Sequence, residues 1–225
     1  MPTYQATILK EFDDRVGIAN TSLYNGIELA AKYRLANDED HPYYGNQDFV
    51  NGSIFYDGSY FSDVKLKLNV YENELLTKIE HELSSGTLIL IKNKVDRFYM
   101  YSKEYTFLNF KENGVDFEGY CEVLFESKNM VLLKKYNKKR FQLLREGNVF
   151  YEFKNAKSQY ILKFLNSHYL IKNPSDFKNI FPEFKEEYRL YFNKRLYKND
   201  KDSHLVSLVG KMNDFYRKQR EIIQE

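Results

Sequence analysis

The stretch Val64-Lys65-Leu66-Lys67-Leu68-Asn69-Val70-Tyr71 places an apolar side chain at every second position and a polar or amphipathic one between. A period of two sends alternate side chains to opposite faces of an extended chain, so this segment reads as a half-buried β-strand. Beyond Pro174 the period changes to about 3.6. Phe177, Ile180, Phe181 and Phe184 recur at helical spacing, and Tyr188, Tyr191 and Phe192 extend the stripe. Pro182 sits inside it. Proline is tolerated in the first turn of a helix and not in its middle, so a second helix is expected to start there. Leu205, Leu208, Val209, Met212, Phe215 and Tyr216 form a further helical stripe, behind the cap candidates Asp200, Asp202 and Ser203.

Between these poles, residues 50–172 read as β. Ser84-Ser85-Gly86 is the expected turn ahead of Leu88–Ile91, and Asn113-Gly114 separates Tyr105–Phe110 from Tyr120–Phe125. Short runs follow at Met130–Leu133, Val149–Phe153, Tyr160–Leu165 and His168–Ile171, with Asn166-Ser167 as a tight turn. No helix-length segment intervenes, which favours an antiparallel meander over parallel βαβ units. Residues 1–50 read as irregular. They hold a possible short helix through Leu23, Ile27, Ala30 and Ala31 behind Thr21 or Ser22, weakened by Gly26, and a loop at Asn37–Pro42. The expected architecture over residues 1–225 is a single α+β domain. Its curved antiparallel β-sheet, a half-barrel-like meander, is packed by C-terminal helices over 174–220.

Composition bounds the partners. The chain has 225 residues, 43% of them hydrophobic, with only 10 glycines and 4 prolines, which excludes disordered and collagen-like classes. Its longest apolar runs, such as Leu88–Ile91, are four residues. A membrane-spanning helix needs about 20, so no transmembrane span is expected. The net charge is only +2, and acids and bases interleave at Glu183, Lys185, Glu186, Glu187 and Arg189. That is the pattern of a solvated helix face, and no nucleic acid partner is expected. Cys121 is the only cysteine, which forbids an intramolecular disulfide and a thiolate zinc site. It runs in phase with Val123 and Phe125, as a packed thiol does, and fits the cytoplasm or an oxidising compartment. Met1-Pro2-Thr3-Tyr4 opens without a basic n-region or an apolar stretch, so no signal peptide is expected there.

Several stretches carry a family likeness. They are Leu23-Tyr24-Asn25-Gly26, His41-Pro42-Tyr43-Tyr44, Asn51–Tyr60, Asp63-Val64-Lys65-Leu66 and Glu122-Val123-Leu124-Phe125-Glu126, with a Leu133-Lys134-Lys135 turn and a lysine-rich C-terminal helix. Together, over roughly residues 20–220, the chain resembles a family of uncharacterised β-rich envelope proteins common in the Bacteroidota, usually made with a cleaved signal peptide. The resemblance implies a periplasmic or cell-envelope location and no particular activity; it supplies no catalytic residue.

Local chemistry points away from the familiar enzyme signatures. His41, His81, His168 and His204 show no metal-ligand spacing, and Asp38-Glu39-Asp40-His41 lacks the alternation of a calcium loop. Gly58-Ser59-Tyr60 lacks the second glycine of a nucleophile elbow and fits a hairpin. The pairs Asp116 with Glu118 and Glu72 with Glu74 read as solvated acids, although two carboxylates can flank a glycosidic bond. No glycine-rich phosphate loop occurs, and no cofactor, metal or catalytic residue is expected. Lys134, Lys135, Lys138, Lys139 and Arg140, with Tyr136 and Phe141 between them, form the concentrated basic site. They read either as a clamp for a polyanion or as a charged hairpin tip that discourages edge pairing. The chain also holds 20 Tyr and 18 Phe with no Trp, too many rings for one core. Tyr56, Tyr60, Phe61 and Tyr71 are therefore the candidate binding surface. The expected function is a non-enzymatic binding or assembly component of the cell envelope, with a protein partner docking on tyrosines while the lysines speed encounter. The alternatives are a hydrolase with a spatially assembled site and a carrier holding a lipid-like ligand in a dry curved-sheet cavity.

Overall fold

A computed structural model describes residues 23, 26–29, 32–81, 84–112 and 114–224 of the chain. Eleven strands form one open antiparallel sheet in the order β1-β5-β4-β3-β2-β6-β7-β8-β9-β10-β11. They are β1 (Ile27–Glu28), β2 (Val50–Tyr56), β3 (Ser59–Asn69), β4 (Glu74–His81), β5 (Ser84–Ile89), β6 (Val95–Met100), β7 (Lys103–Glu112), β8 (Val115–Glu126), β9 (Met130–Arg145), β10 (Asn148–Phe164) and β11 (Ser167–Ile171). Helices follow at α1 (Phe177–Ile180), α2 (Lys185–Tyr191), α3 (Lys194–Asn199) and α4 (Lys201–Gln224). The α+β class and the antiparallel sheet are as the sequence implies, but the expected meander is interrupted, since β6 pairs with β2 rather than with β5 and β1 with β5.

The chain forms two compact units. Among the described residues, the first comprises those from 23 to 108 with 119–121 and 136–157, and the second those from 109 to 118 with 122–135 and 158–224. In the first unit the core is built on the alternation of β3: Val64, Leu66 and Leu68 are buried with Ile54, Leu75, Phe98, Met100 and Tyr105. The phase is reset once. Asp63 adopts a left-handed φ of 56°, so a bulge separates core residues Phe61 and Val64 by three positions rather than two. The β2–β3 hairpin closes through Asp57 and Gly58, both with positive φ (52° and 76°), as a two-residue hairpin turn requires.

In the second unit Leu205, Leu208, Val209 and Met212 of α4 pack on Phe177, Phe181, Phe184, Leu132, Leu162 and Ile171. Most of the helical stripes expected there are core faces, but Tyr191 is exposed and Phe215 and Tyr216 are only partly buried. Pro182 breaks the helix as anticipated: α1 ends at Ile180, and Pro182–Phe184 is a separate 3-10 turn ahead of α2. Of the three cap candidates, Asp200 does the capping, accepting the Ser203 N–H at 3.0 Å. This unit also folds back on itself. Three strands separate β7 from β11 in the sheet order. Even so, the Glu112 carboxylate accepts the His168 N–H at 3.0 Å, and Phe110 stacks on the His168 ring at 4.4 Å. An outward-pointing N–H of the short edge strand β11 is thereby capped.

Four local expectations change. Ile27–Glu28 is a strand paired with β5, not part of a helix, because the chain runs so close to β5 that a Cβ on Gly26 would lie 2.6 Å from the Ile89 carbonyl oxygen. The rest of that expected helix, with Thr21, Ser22, Ala30 and Ala31, lies outside the described residues, as do Tyr24, Asn25, Asn113 and Met1–Tyr4. Ser84-Ser85-Gly86 is inside β5, paired with β4, rather than a turn. Leu133-Lys134-Lys135 is inside β9 and not a turn. The β10–β11 turn falls on Leu165-Asn166, and Ser167 already belongs to β11.

Candidate binding site

Alternation along β2, β3, β6 and β7 divides the expected aromatic surface in two. Tyr56 and Phe61 point into the core, at 0% and 5% exposure, so they are corrected from docking residues to core residues. The Tyr56 hydroxyl accepts the Ile91 N–H at 3.3 Å. Tyr60 points the other way. It sits opposite Phe55 across the hairpin, with ring centroids 4.8 Å apart, and Phe55 is 39% exposed. Phe55 is in turn opposite Arg97 on β6, and Arg97 opposite Thr106 on β7. In the next row Tyr99 stands opposite Glu104, which forms an ion pair with Arg97. Burial, then the Glu104 carboxylate, push the Tyr99 hydroxyl above its ordinary value and keep it a donor. Thus the face of these four strands opposite the core carries Tyr60, Phe55, Arg97, Tyr99 and Glu104: three rings and a charge pair on rigid strands. The sequence signal for Phe55 was its place across the Asp57-Gly58 turn from Tyr60. Arg97 and Tyr99 had no signal of their own.

Tyr71 belongs to a different arrangement. The Arg140 guanidinium lies 5.6, 5.6 and 5.2 Å from the ring centres of Tyr33, Tyr71 and Tyr151. Tyr33 packs edge-on to Tyr71 and Tyr151 and donates its hydroxyl to Glu72. Burial first, then the Glu72 carboxylate, push Tyr33 up to about 12. Lys67 similarly lies 4.3 and 4.2 Å from the rings of Tyr43 and Phe49. Lys103 Nζ donates to the hydroxyls of Tyr44 (3.0 Å) and Tyr136 (3.2 Å). Burial pushes Tyr44 up, but hydrogen bonds with Lys103, Tyr105 and Tyr136 outweigh it, and the net shift is downward. Much of the tyrosine excess is therefore occupied with the protein's own cations.

The basic cluster is neither a hairpin tip nor a single patch. All five residues lie within β9, where alternation distributes them, and the tip of the β9–β10 hairpin is Glu146-Gly147 instead. Lys134 pairs with Asp202 in the second unit, and the Tyr160 hydroxyl donates to the same carboxylate at 2.5 Å. Lys135 donates to the Glu118 carbonyl at 2.6 Å. Within the first unit Lys138 donates to the His41 carbonyl at 2.6 Å, its own pKa lowered by burial. Arg140 fills the tyrosine cage, and Lys139 is exposed.

The remaining candidates are structural. The His41 Nδ1 accepts the Tyr43 N–H at 3.2 Å and the His204 Nε2 the Asn193 N–H at 3.3 Å; burial lowers both pKa values. A ring nitrogen engaged in this way is not offered to a metal, and among the described residues no group of His, Cys, Asp and Glu could hold one. Asp40 binds Lys154, Asp116 binds Lys111, Glu74 binds Lys32, and the Cys121 thiol is buried. Gly58-Ser59-Tyr60 forms the β2–β3 turn and the start of β3. Two cavities stand out. One, in the first unit, is about 220 Å³ and is lined by Tyr33, Tyr43, Leu35 and Pro42 but also by Lys32, Gln47 and Asn69. The other, in the second unit, is about 530 Å³ and is lined mainly by polar and cationic side chains. Among the described residues no helix is long and apolar enough to cross a membrane.

No family model, no curated protein and no solved structure matches the chain.

Proposed function

We propose that the chain is a non-enzymatic binding or assembly component whose protein partner docks on the outer face of β2, β3, β6 and β7. The observation that carries this reading is the Phe55–Tyr60 pair on the face away from the core, flanked by Tyr99 and the Arg97–Glu104 pair. Aromatic side chains and arginine are enriched at interface centres, where truncating a central one typically costs about 2 kcal/mol or more. Strands also hold such residues with little loss of side-chain freedom on binding. The cell-envelope placement is supported by the resemblance of the glycine, tyrosine and strand pattern described above. The test is affinity capture from a native envelope extract with the wild-type chain and with Phe55→Thr and Tyr60→Thr, substitutions that keep strand propensity. The expected result is a partner whose affinity falls at least tenfold in both variants, with melting temperatures close to wild type. A partner bound equally well by all three chains would overturn the assignment of this face.

A further inference from the structure

The geometry points to a second, independent site in the other unit: the cavity between the β8–β9 turn and the end of α4 binds a phosphate monoester. Its volume of about 530 Å³ is that of a small-molecule site, not of a single ion. One wall is the turn carrying Lys128 and Asn129. That turn is held rigidly: Ser127 N–H donates to the Met130 carbonyl at 2.8 Å, and Leu165 N–H to the Asn129 carbonyl at 2.8 Å. The buried Asn213 ties the two walls together, accepting the Ser127 hydroxyl at 2.9 Å. The other wall is α4, which presents Tyr216, Arg217 and Arg220, with Glu221 as the acid among the lining residues.

Charge and commitment distinguish this cavity. Three cations against one acid leave a net +2 in the lining. Elsewhere Lys134 and Lys138 are engaged by a carboxylate and a carbonyl oxygen. Here, among the described residues, neither Lys128 nor Arg217 is in an ion pair, and Arg220 lies over the Tyr216 ring at 5.3 Å. Two guanidinium forks three residues apart sit on one helix face and match the oxygens of a dianionic phosphate. The Tyr216 ring, with Arg220 over it, adds an aromatic wall for the organic part of the ester.

The probes are AMP, ribose 5-phosphate and adenosine in isothermal titration, together with flotation on vesicles containing phosphatidic acid. AMP and ribose 5-phosphate are expected to bind, with adenosine at least tenfold weaker. The joint Arg217→Gln and Arg220→Gln variant should weaken AMP at least tenfold, and Lys128→Gln should weaken it independently from the opposite wall. Lys139→Gln should leave affinity unchanged. Flotation that AMP competes away would give the site a lipid headgroup as its ester; AMP binding without flotation would give it a soluble one. Equal binding of AMP and adenosine, AMP affinity unaltered in the arginine variant, or tighter binding of single-stranded DNA than of AMP would each overturn the proposal.

Discussion

Replacing Lys134 with Met separates a structural role for the basic cluster from a binding role. The Lys134 ammonium pairs with Asp202 with its side chain only 12% exposed, and the Asp202 side chain is 36% exposed. Removing one partner of a charge-assisted hydrogen bond costs about 1.5–3 kcal/mol when the other is left buried. Asp202 keeps the Tyr160 hydroxyl at 2.5 Å and reaches water, which brings the expected loss down to about 1–2 kcal/mol. For a chain of this size that is a fall in melting temperature of about 2–8 °C. Lys139→Met, at an exposed position of the same strand, should stay within about 0.5 kcal/mol of wild type. Urea denaturation supplies the free energies, and a double-mutant cycle with Asp202→Asn should return a coupling of about 1 kcal/mol. If Lys134→Met and Lys139→Met prove indistinguishable and the coupling is zero, the ion pair contributes nothing, and the cluster must be explained by binding after all.

Three further outcomes follow from close geometry and from buried hydroxyls. A Cβ on Gly52 would lie 2.3 Å from the Tyr99 carbonyl oxygen and 3.0 Å from Leu66 Cδ1, so Gly52→Ala should cost about 2–3 kcal/mol in urea denaturation; a neutral substitution would contradict the close approach of β2 and β6. In an alkaline ultraviolet titration Tyr44 should ionise ahead of an ordinary tyrosine, and Tyr44→Phe should remove that early step, while Lys103→Met should move it to higher pH. At the other end of the titration, Tyr33 is raised from 10.0 to about 12. Its contribution to stability is therefore fully present below pH 10 and is lost as the pH climbs through 12, a loss that Tyr33→Phe should abolish.

The fold was legible wherever one face of an element is dry. Val64, Leu66 and Leu68 announce β3, and Leu205, Leu208, Val209 and Met212 announce α4, because burial of one face imposes the period. The full extent of β9 was not legible. From Lys134 to Arg145 its residues are mostly polar and half or fully exposed, and the strand persists there through pairing with β8 and β10 rather than through a hydrophobic rhythm. The same limit governed the site. Which tyrosines are buried depends on phase, and the bulge at Asp63 resets that phase between Phe61 and Val64. The Lys103–Tyr44 and Arg140–Tyr33 groupings join residues far apart in the chain, so no local spacing could reveal them.

The interleaving of the two units along the chain bears on how the protein is made. Reading from the amino end, the polypeptide passes between them at residues 108/109, 118/119, 121/122, 135/136 and 157/158. A ribosome delivering this chain vectorially therefore cannot release a finished first unit: its 136–157 segment emerges only after two segments of the second unit are already outside. The second unit in turn waits for α4. Nor can any single peptide-bond cleavage liberate either unit intact. Each unit is thus completed only by segments that emerge after part of the other is already outside, and an unpaired strand edge is exposed in the interval.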